Sequence, residues 1–437
     1  MKVRPRSLGL AGVLLLMFAV GLLVTVPEIV KQQVTAKVQI DPDSGLAYTM
    51  WRDIPIPLYM SLYLFEVKNP QEILNGEKPV LEERGPYVYR EYRWKSNITF
   101  HNNYTVSYRE YKRYHFCPER SAGSESDEIV LPNVLALMNN SNAGLFTVYT
   151  GVNNIAKVHL VDNWNGLKEV NYWRSDQCNM INGTAGEMWP PFMTPSDALT
   201  FFSPDSCRTL ELVFQKSGRT FGLPSFRYIA PKTMFANGTV YPPNEGFCPC
   251  RQSGVLNVST CRHNAQVFIS YPHFYNADPV LWEAVSGLHP NEKDHALFID
   301  IHPLTGIPLN VSIKLQLNLF VKAVHGITET GNIQPVLLPL LWFDEMGRID
   351  GPPLHTFYNF LVLVPNVFEY LQYTLIAVGC LLVLIAVVVK IVHWKQQISV
   401  KGISSGTDKE SQGASASLLP AGESNYTLLQ QPSYLLD

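Results

Sequence analysis

The sequence is poor in charge. Only 16% of its 437 residues are Asp, Glu, Lys or Arg, and the formal net charge is −3. With no basic surplus, nucleic acid is set aside as a partner. Catalytic signatures are missing as well. There is no His-Glu-x-x-His, no phosphate-binding loop and no dinucleotide glycine fingerprint, which removes the chemistries those motifs carry. One Gly-x-Ser-x-Gly occurs at Gly402–Gly406, in a polar stretch of Ser, Gly, Gln and Lys. It lacks the strand–turn–helix setting that an exposed nucleophile needs. His289, His295 and His302 are spaced so that neither a helix nor a strand gathers them on one face. Asp344 and Glu345 are adjacent and point apart on a strand. No internal repeat is present. The chain therefore reads as a non-enzyme without metal or cofactor.

Long uncharged runs, in contrast, stand at both ends. Leu371–Val389 carries no charge between Glu369 and Lys390, and as a helix it would span roughly 28 Å, one bilayer core. Lys390, His393 and Lys395 follow and place that end in the cytoplasm. Leu8–Val26 is also uncharged and follows Lys2, Arg4 and Arg6. It exceeds a typical signal-peptide core, and Val26-Pro27-Glu28-Ile29-Val30 offers no small-x-small cleavage site. An uncleaved anchor is expected. The organisation that follows is a cytoplasmic start over 1–7, a span over 8–28, an ectodomain over 29–368, a second span over 369–389 and a cytoplasmic tail over 390–437.

The loop between the spans carries the marks of the secretory lumen. Sequons begin at Asn97, Asn103, Asn139, Asn182, Asn237, Asn257 and Asn310, which suggests a glycosylated ectodomain. Another, Asn425, lies in the tail, beyond the reach of glycosylation. Cys117, Cys178, Cys207, Cys248, Cys250 and Cys261 also fall in the loop, an even number that reads as disulfides whose pairing spacing alone leaves open. A zinc site at Cys248, Cys250, Cys261 and His263 is the rival, disfavoured because Cys-x-Cys is tighter than usual zinc spacing.

Strand patterns dominate this loop. Ile313, Leu315, Leu317, Leu319 and Val321 alternate with Ser312, Lys314, Gln316, Asn318 and Lys322, predicting one face turned into the core and one wet. Tyr87–Trp94 and Thr105–Phe116 read as strands joined near Asn102–Asn103, and Leu297, Ile299 and Ile301 form another short run. Helices are expected only at Pro70–Leu74 and Asp278–Val285. The basic aromatic run Tyr108–Tyr114 reads either as an anion-binding patch or, more simply, as a strand with long side chains along its exposed face.

Several stretches resemble the class B scavenger receptor family. They are Arg84–Glu91 (RGPYVYRE), Ser175–Gly183 (SDQCNMING), Pro272-His273-Phe274, Gly287–Glu292 (GLHPNE), Asp300–Gly306 (DIHPLTG) and Pro339-Leu340-Leu341-Trp342. Lys95–Phe100 and Trp189–Pro195 are most similar to the high-density-lipoprotein-binding branch. The resemblance implies a mostly β fold, an antiparallel β-barrel-like ectodomain with a hydrophobic tunnel and few helices. It implies a plasma-membrane receptor for lipoprotein particles and anionic phospholipid that passes cholesteryl ester, cholesterol or fatty acid toward the membrane. The alternative it offers is a sorting or adhesion receptor for a protein ligand in endosomes and lysosomes. It implies disulfides Cys207–Cys261 and Cys248–Cys250, but the family partner of Cys178 is replaced by Val311, and Cys117 is extra.

One departure is larger. Relatives carry several dozen residues between the equivalents of Leu137 and Ser141, forming helices of a membrane-distal head. Here Met138 runs directly into Asn139-Asn140-Ser141, as after an in-frame deletion. In the tail, Tyr426-Thr427-Leu428-Leu429 fits the tyrosine-x-x-hydrophobic pattern of endocytic adaptors, with Tyr426 and Leu429 as its anchors. Homo-oligomers are the remaining class of partner considered.

Overall fold

A computed structural model describes residues 5–44, 46–132, 143–247, 252–262 and 264–407. The chain divides into two compact units, one of residues 1–23 with 370–437 and one of residues 24–369.

The larger unit is built on one sheet of 13 strands. In chain order these are β1 (Leu58–Val67), β2 (Leu81–His101), β3 (Thr105–Phe116), β4 (Leu145–Tyr149), β5 (Val161–Trp164), β6 (Leu199–Ser203), β7 (Arg208–Thr220), β8 (Leu223–Ile229), β9 (Val255–Asn257), β10 (Val267–Ser270), β11 (Phe298–His302), β12 (Ile307–Val321) and β13 (Val336–Arg348). The expected strands are all present, and β2 is longer at both ends than the Tyr-rich run suggested. Neighbours run in the order β5-β4-β3-β2-β1-β13-β12-β11-β8-β7-β6, and every named pairing is antiparallel.

The two edges nearly meet. Thr184, in the connection between β5 and β6, bridges Leu160 on one side and Phe201 on the other. Its backbone closes the gap with bonds from Val161 N–H to Gly183 O (2.9 Å), Thr184 N–H to Thr200 O (3.0 Å) and Phe202 N–H to Thr184 O (2.9 Å). The sheet is thus a nearly closed barrel, with few edge groups left unpaired.

Helices are few and mostly short. They are α1 (Pro5–Val38), α2 (Leu46–Arg52), α3 (Pro70–Leu74), α4 (Asp176–Asn179), α5 (Pro279–Glu283), α6 (Glu292–His295), α7 (Gly351–Tyr358) and α8 (Val364–Thr407). The α3 and α5 segments match expectation, each started by a proline that needs no N–H partner. Both terminal helices are long and apolar enough to cross a membrane. They also outrun the apolar segments that announced them. Beyond Pro27, α1 turns amphipathic, and its Val34 and Val38 are buried in the barrel core.

Within the smaller unit the two helices touch through small residues. A Cβ on Gly12 would lie 2.8 Å from the Gly379 carbonyl oxygen and 2.8 Å from a Val383 methyl. Gln372 Nε2 donates to the Ala19 carbonyl at 3.2 Å. Close backbone approach of this kind is the usual way apolar helices adhere where no hydrophobic drive exists between them.

Candidate functional site in the barrel interior

The pairing register assigns every side chain of β12, β13 and β1 to one of two faces, because opposed residues of an antiparallel pair share a face. Leu315 faces Phe343, Leu317 faces Leu341, and Phe343 in turn faces Leu62. This face looks into the barrel, where Ile313, Leu315, Leu317 and Phe343 join the main core cluster. Apart from Leu315 its members are only half-buried, including Ile313, Leu317, Leu341, Phe343, Met60 and Leu62. The interior wall therefore keeps accessible apolar surface.

The opposite face reverses the expectation. Ser312, Lys314, Gln316 and Asn318 are not wet but buried, Gln316 and Asn318 completely. A second layer covers them and satisfies their hydrogen bonds. Gln316 Oε1 accepts from His273 N–H (2.6 Å) and its Nε2 donates to Asn318 Oδ1 (2.7 Å). Asn318 Nδ2 donates to Ser270 Oγ at 3.0 Å, and Ser312 Oγ donates to Asp344 at 2.8 Å. Buried polar groups are tolerable when paired in this way. The inward run is also shorter than expected. The register shifts between Leu317 and Asn318, and past that bulge Val321 packs with a second apolar cluster around Phe65, Phe274 and Trp342.

Charge lines the other wall of the interior. Glu91, Arg93 and Lys95 alternate along β2, with Lys112 opposite Arg93 and Glu110 opposite Lys95 on β3. Arg93 pairs with Glu91 and with Glu345 of β13. Lys95 Nζ donates to Glu187 at 2.7 Å and to the Trp51 carbonyl at 2.9 Å, and buried His159 lies 3.1 Å from Glu187. Burial opposes ionisation of Glu345, but Arg93 and Lys112 outweigh it and hold the carboxyl at about 2. Burial likewise opposes the charge on Glu187, and Lys95 foremost keeps it well below the usual range. Glu110 differs. Burial, then its bond and repulsion with Glu187, push it up to about 7. Desolvation is the largest influence on Arg93, Lys112 and Glu345, yet their side chains keep 13, 28 and 22% of their surface. These side chains are thus deep in the barrel and still keep part of their surface.

The basic aromatic run is thereby split. Tyr108, Glu110 and Lys112 belong to the interior, whereas Tyr111 stacks on Trp94 and Arg113 lies over the same ring on the outer face. The run is a strand, as the simpler reading has it, but only part of its long side chains lie on the exposed face. Asp344 and Glu345 do point apart, to Lys314 and Arg93.

The recognisable motifs mostly build structure. Trp342 Nε1 and His273 Nε2 both bond Glu83, at 2.7 and 2.6 Å, and His295 stacks on His273 with centroids 4.4 Å apart. Sequence spacing gave no sign of this cluster. His302 stands apart from it, buried, and bonded through Nδ1 to Thr305 at 3.3 Å. Burial pushes both His295 and His302 down to about 4. Asp300 takes a two-bond grip from Arg227 (2.6 and 2.7 Å). Gly306 packs so closely on the Trp189 carbonyl that no Cβ fits.

Cys207 and Cys261 are joined, with Cα atoms 6.5 Å apart, so Cys261 is unavailable to a metal. Among the described residues no cluster of His, Cys, Asp or Glu suits a metal ion. Cys178 is buried and Cys117 half-buried, both unpaired among the described residues. Asn97, Asn103 and Asn182 are exposed, and Asn237, Asn257 and Asn310 are half-buried. Asn139, Cys248, Cys250, His263, Tyr426 and Leu429 lie outside the described residues. Gly402–Gly406 falls in the last turns of α8, not in a strand–turn–helix.

Comparison with known proteins places the chain in a family. The sequence profile of the CD36 family matches residues 10–138 and 135–390. Scavenger receptor class B member 1 of Bos taurus is 49% identical over 500 residues, covering 97% of each chain. Its counterpart in Sus scrofa is 51% identical over 453 residues, covering 88% of this chain and 89% of that one. Lysosome membrane protein 2 of Homo sapiens is 32% identical over 445 residues, covering 85% and 91%. The bovine alignment is longer than the chain itself, and the profile match breaks in two where Met138 meets Asn139. By profile and by identity, the chain belongs to the CD36 family of class B scavenger receptors.

Proposed function

We propose that this protein is a cell-surface receptor for lipoprotein particles and anionic phospholipid. It passes cholesteryl ester, cholesterol or fatty acid toward the membrane through the barrel interior, without covalent chemistry, cofactor or metal. The observation that carries this reading is the interior wall of β12, β13 and β1, whose apolar side chains stay accessible instead of packing dry. Such lipids are almost insoluble, and an enclosed apolar path spares them water. The kinship with scavenger receptor class B member 1 supports it.

The two apolar helices support an anchor at each end, with 1–7 and 390–437 cytoplasmic, 29–368 outside, and the plasma membrane as site. The divided profile match supports a head shortened near 138–141. In this reading Cys248–Cys250 is a second disulfide, the lumenal sequons carry glycans, and Tyr426 with Leu429 engages an endocytic adaptor. Self-association is compatible with all of this.

The full chain, expressed in cells without other class B receptors, should take up labelled cholesteryl ester from high-density lipoprotein in excess of the particle's protein. Leu317→Trp, which adds bulk to the interior wall, should lower lipid uptake while particle binding persists. Lipid and particle protein entering in their original ratio would overturn the conduit. The shortened head and the similarity to lysosome membrane protein 2 favour a second reading, a sorting receptor in endosomes and lysosomes. A specific lumenal protein retained by the chain, with no lipid gain, would establish that one.

A further inference from the structure

A separate groove of about 360 Å³ lies between β9, β10, α5 and the adjoining ends of β12 and β13. Its walls include Phe268, Leu281, Phe320, Val336 and Leu337. Leu281 and Val336 belong to the second apolar cluster, not to the barrel core. An apolar depression of this kind is a liability on a secreted surface unless something covers it.

One lining residue is Asn257, the acceptor of the Asn257-Val258-Ser259 sequon. In the β9–β10 pair Asn257 is directly opposite Phe268, so the two side chains share a face with Cβ atoms about 5 Å apart. The Phe268 ring lies 6.4 Å from that of Phe320. Asn257 Oδ1 accepts from Ser259 N–H at 3.0 Å and from Ser259 Oγ at 2.5 Å. Those bonds fix the carbonyl end of the amide. Nδ2, the atom that carries sugar, has no hydrogen-bond partner among the described residues.

We propose that this groove seats the N-linked glycan of Asn257. The apolar face of the first acetylglucosamine lies along Phe268 and Phe320, and its hydroxyls face water. At about 360 Å³ the groove is at the small end of ligand pockets. It suits one end of a glycan better than a long-chain lipid ester. Covalent attachment also gives the sugar a high effective concentration, so a weak stacking contact suffices to hold it. The sugar comes from a lipid-linked oligosaccharide diphosphate. Nδ2 loses a proton and bonds C1 of the acetylglucosamine, and the lipid diphosphate leaves with the bonding electron pair. Transfer precedes pairing of β9 with β10, which leaves Asn257 half-buried.

The proposal rests on the lumenal placement of residues 29–368 in the function proposed above. The test is peptide mass spectrometry of the full chain from mammalian cells, before and after timed digestion of the native protein with an amide-cleaving glycosidase. Sugar at Asn97 and Asn103 should be released first, with release at Asn257 several-fold slower and equal only after denaturation. Phe268→Leu should bring Asn257 to the rate of the exposed sites. Asn97 or Asn103 occupied with Asn257 bare would overturn the proposal, as would equal release rates in the native wild type, a measurement that needs no variant. If no sequon carries sugar, the lumenal placement itself fails, and the proposal with it.

Discussion

Consider replacing Gln316 by leucine. If the polar side of β12 faced water, this change would shift stability by no more than about 0.5 kcal/mol. In the structure the side chain is fully buried and bonded at both ends, to His273 N–H at 2.6 Å and to Asn318 at 2.7 Å. Leucine occupies a similar space but offers neither bond. The His273 backbone amide and the Asn318 side-chain oxygen Oδ1 are then stranded in a layer that water does not reach. Each orphaned group costs about 1–3 kcal/mol, so the pair costs about 2–6 kcal/mol. Losses of that size are large against a total stability of about 5–15 kcal/mol. Purified full-length protein should melt several degrees lower by scanning fluorimetry, and its surface level in cells should fall. The same substitution at Gln71, exposed on α3, is the control and should be silent. A Gln316→Leu protein that melts with the wild type would refute the assignment of faces.

Three further outcomes are expected. Serine at both Cys207 and Cys261 opens a loop with a sequence separation of 54, a loss of about 4 kcal/mol in the chain-entropy view; non-reducing peptide mapping that joins Cys207 elsewhere would overturn the pairing. Gly12→Leu should push the terminal helices apart, so that cysteines introduced by Gly9→Cys and Ala386→Cys, where ideal Cβ atoms are 3.4 Å apart, cross-link in the parent but not in the variant. The low pKa of about 4 at His295 and His302 means that the unfolded chain takes up protons first as pH falls below 6.5, so each site loses about 2 kcal/mol of stability by pH 5. Glu110, held at about 7, takes its proton in the folded state and offsets about one of them; His302→Asn should therefore flatten the fall in melting temperature from pH 7 to pH 5, and an unchanged slope would count against it.

Local pattern carried much of the fold. The apolar ends, the Tyr-rich hairpin of β2 and β3, the alternating β12 and the proline-started α3 and α5 were all legible in short windows. Which face of β12 is wet was not. Alternation says only that two faces differ. The cover over Gln316 and Asn318 comes from Ser270 and His273, more than 40 residues away. The cluster of Glu83, His273 and Trp342 is assembled the same way, from residues with |i−j| of 190 and 259. The charged wall was half visible. Tyr108–Tyr114 stood out as a unit, but its division between two faces needs the register with β2, and Glu187 enters from a connection without periodicity.

The charged wall bears on what the interior could pass. Arg93, Lys95 and Lys112 face Glu91, Glu110, Glu187 and Glu345, one carboxylate more than there are cations. Burial and Glu187 push Glu110 up to about 7, so near neutral pH its carboxyl is protonated part of the time and the surplus is less than one charge. Charges removed from water are tolerable only when paired, since an unpaired one costs several kcal/mol. Here the cations are paired with carboxylates, while Glu91 Oε2 is left without a hydrogen-bond partner among the described residues. The near balance of charge gives an anionic lipid no strong attraction to this wall. A receptor that only stores its ligand gains from a fixed countercharge. A conduit needs the opposite, a wall stable when empty and with no deep well for any one ligand. A wall with nearly balanced charge has that property, and Glu110→Gln, which removes the surplus carboxylate, should leave lipid uptake unchanged at neutral pH while Glu187→Gln, which takes the nearest carboxylate from Lys95, should lower protein yield.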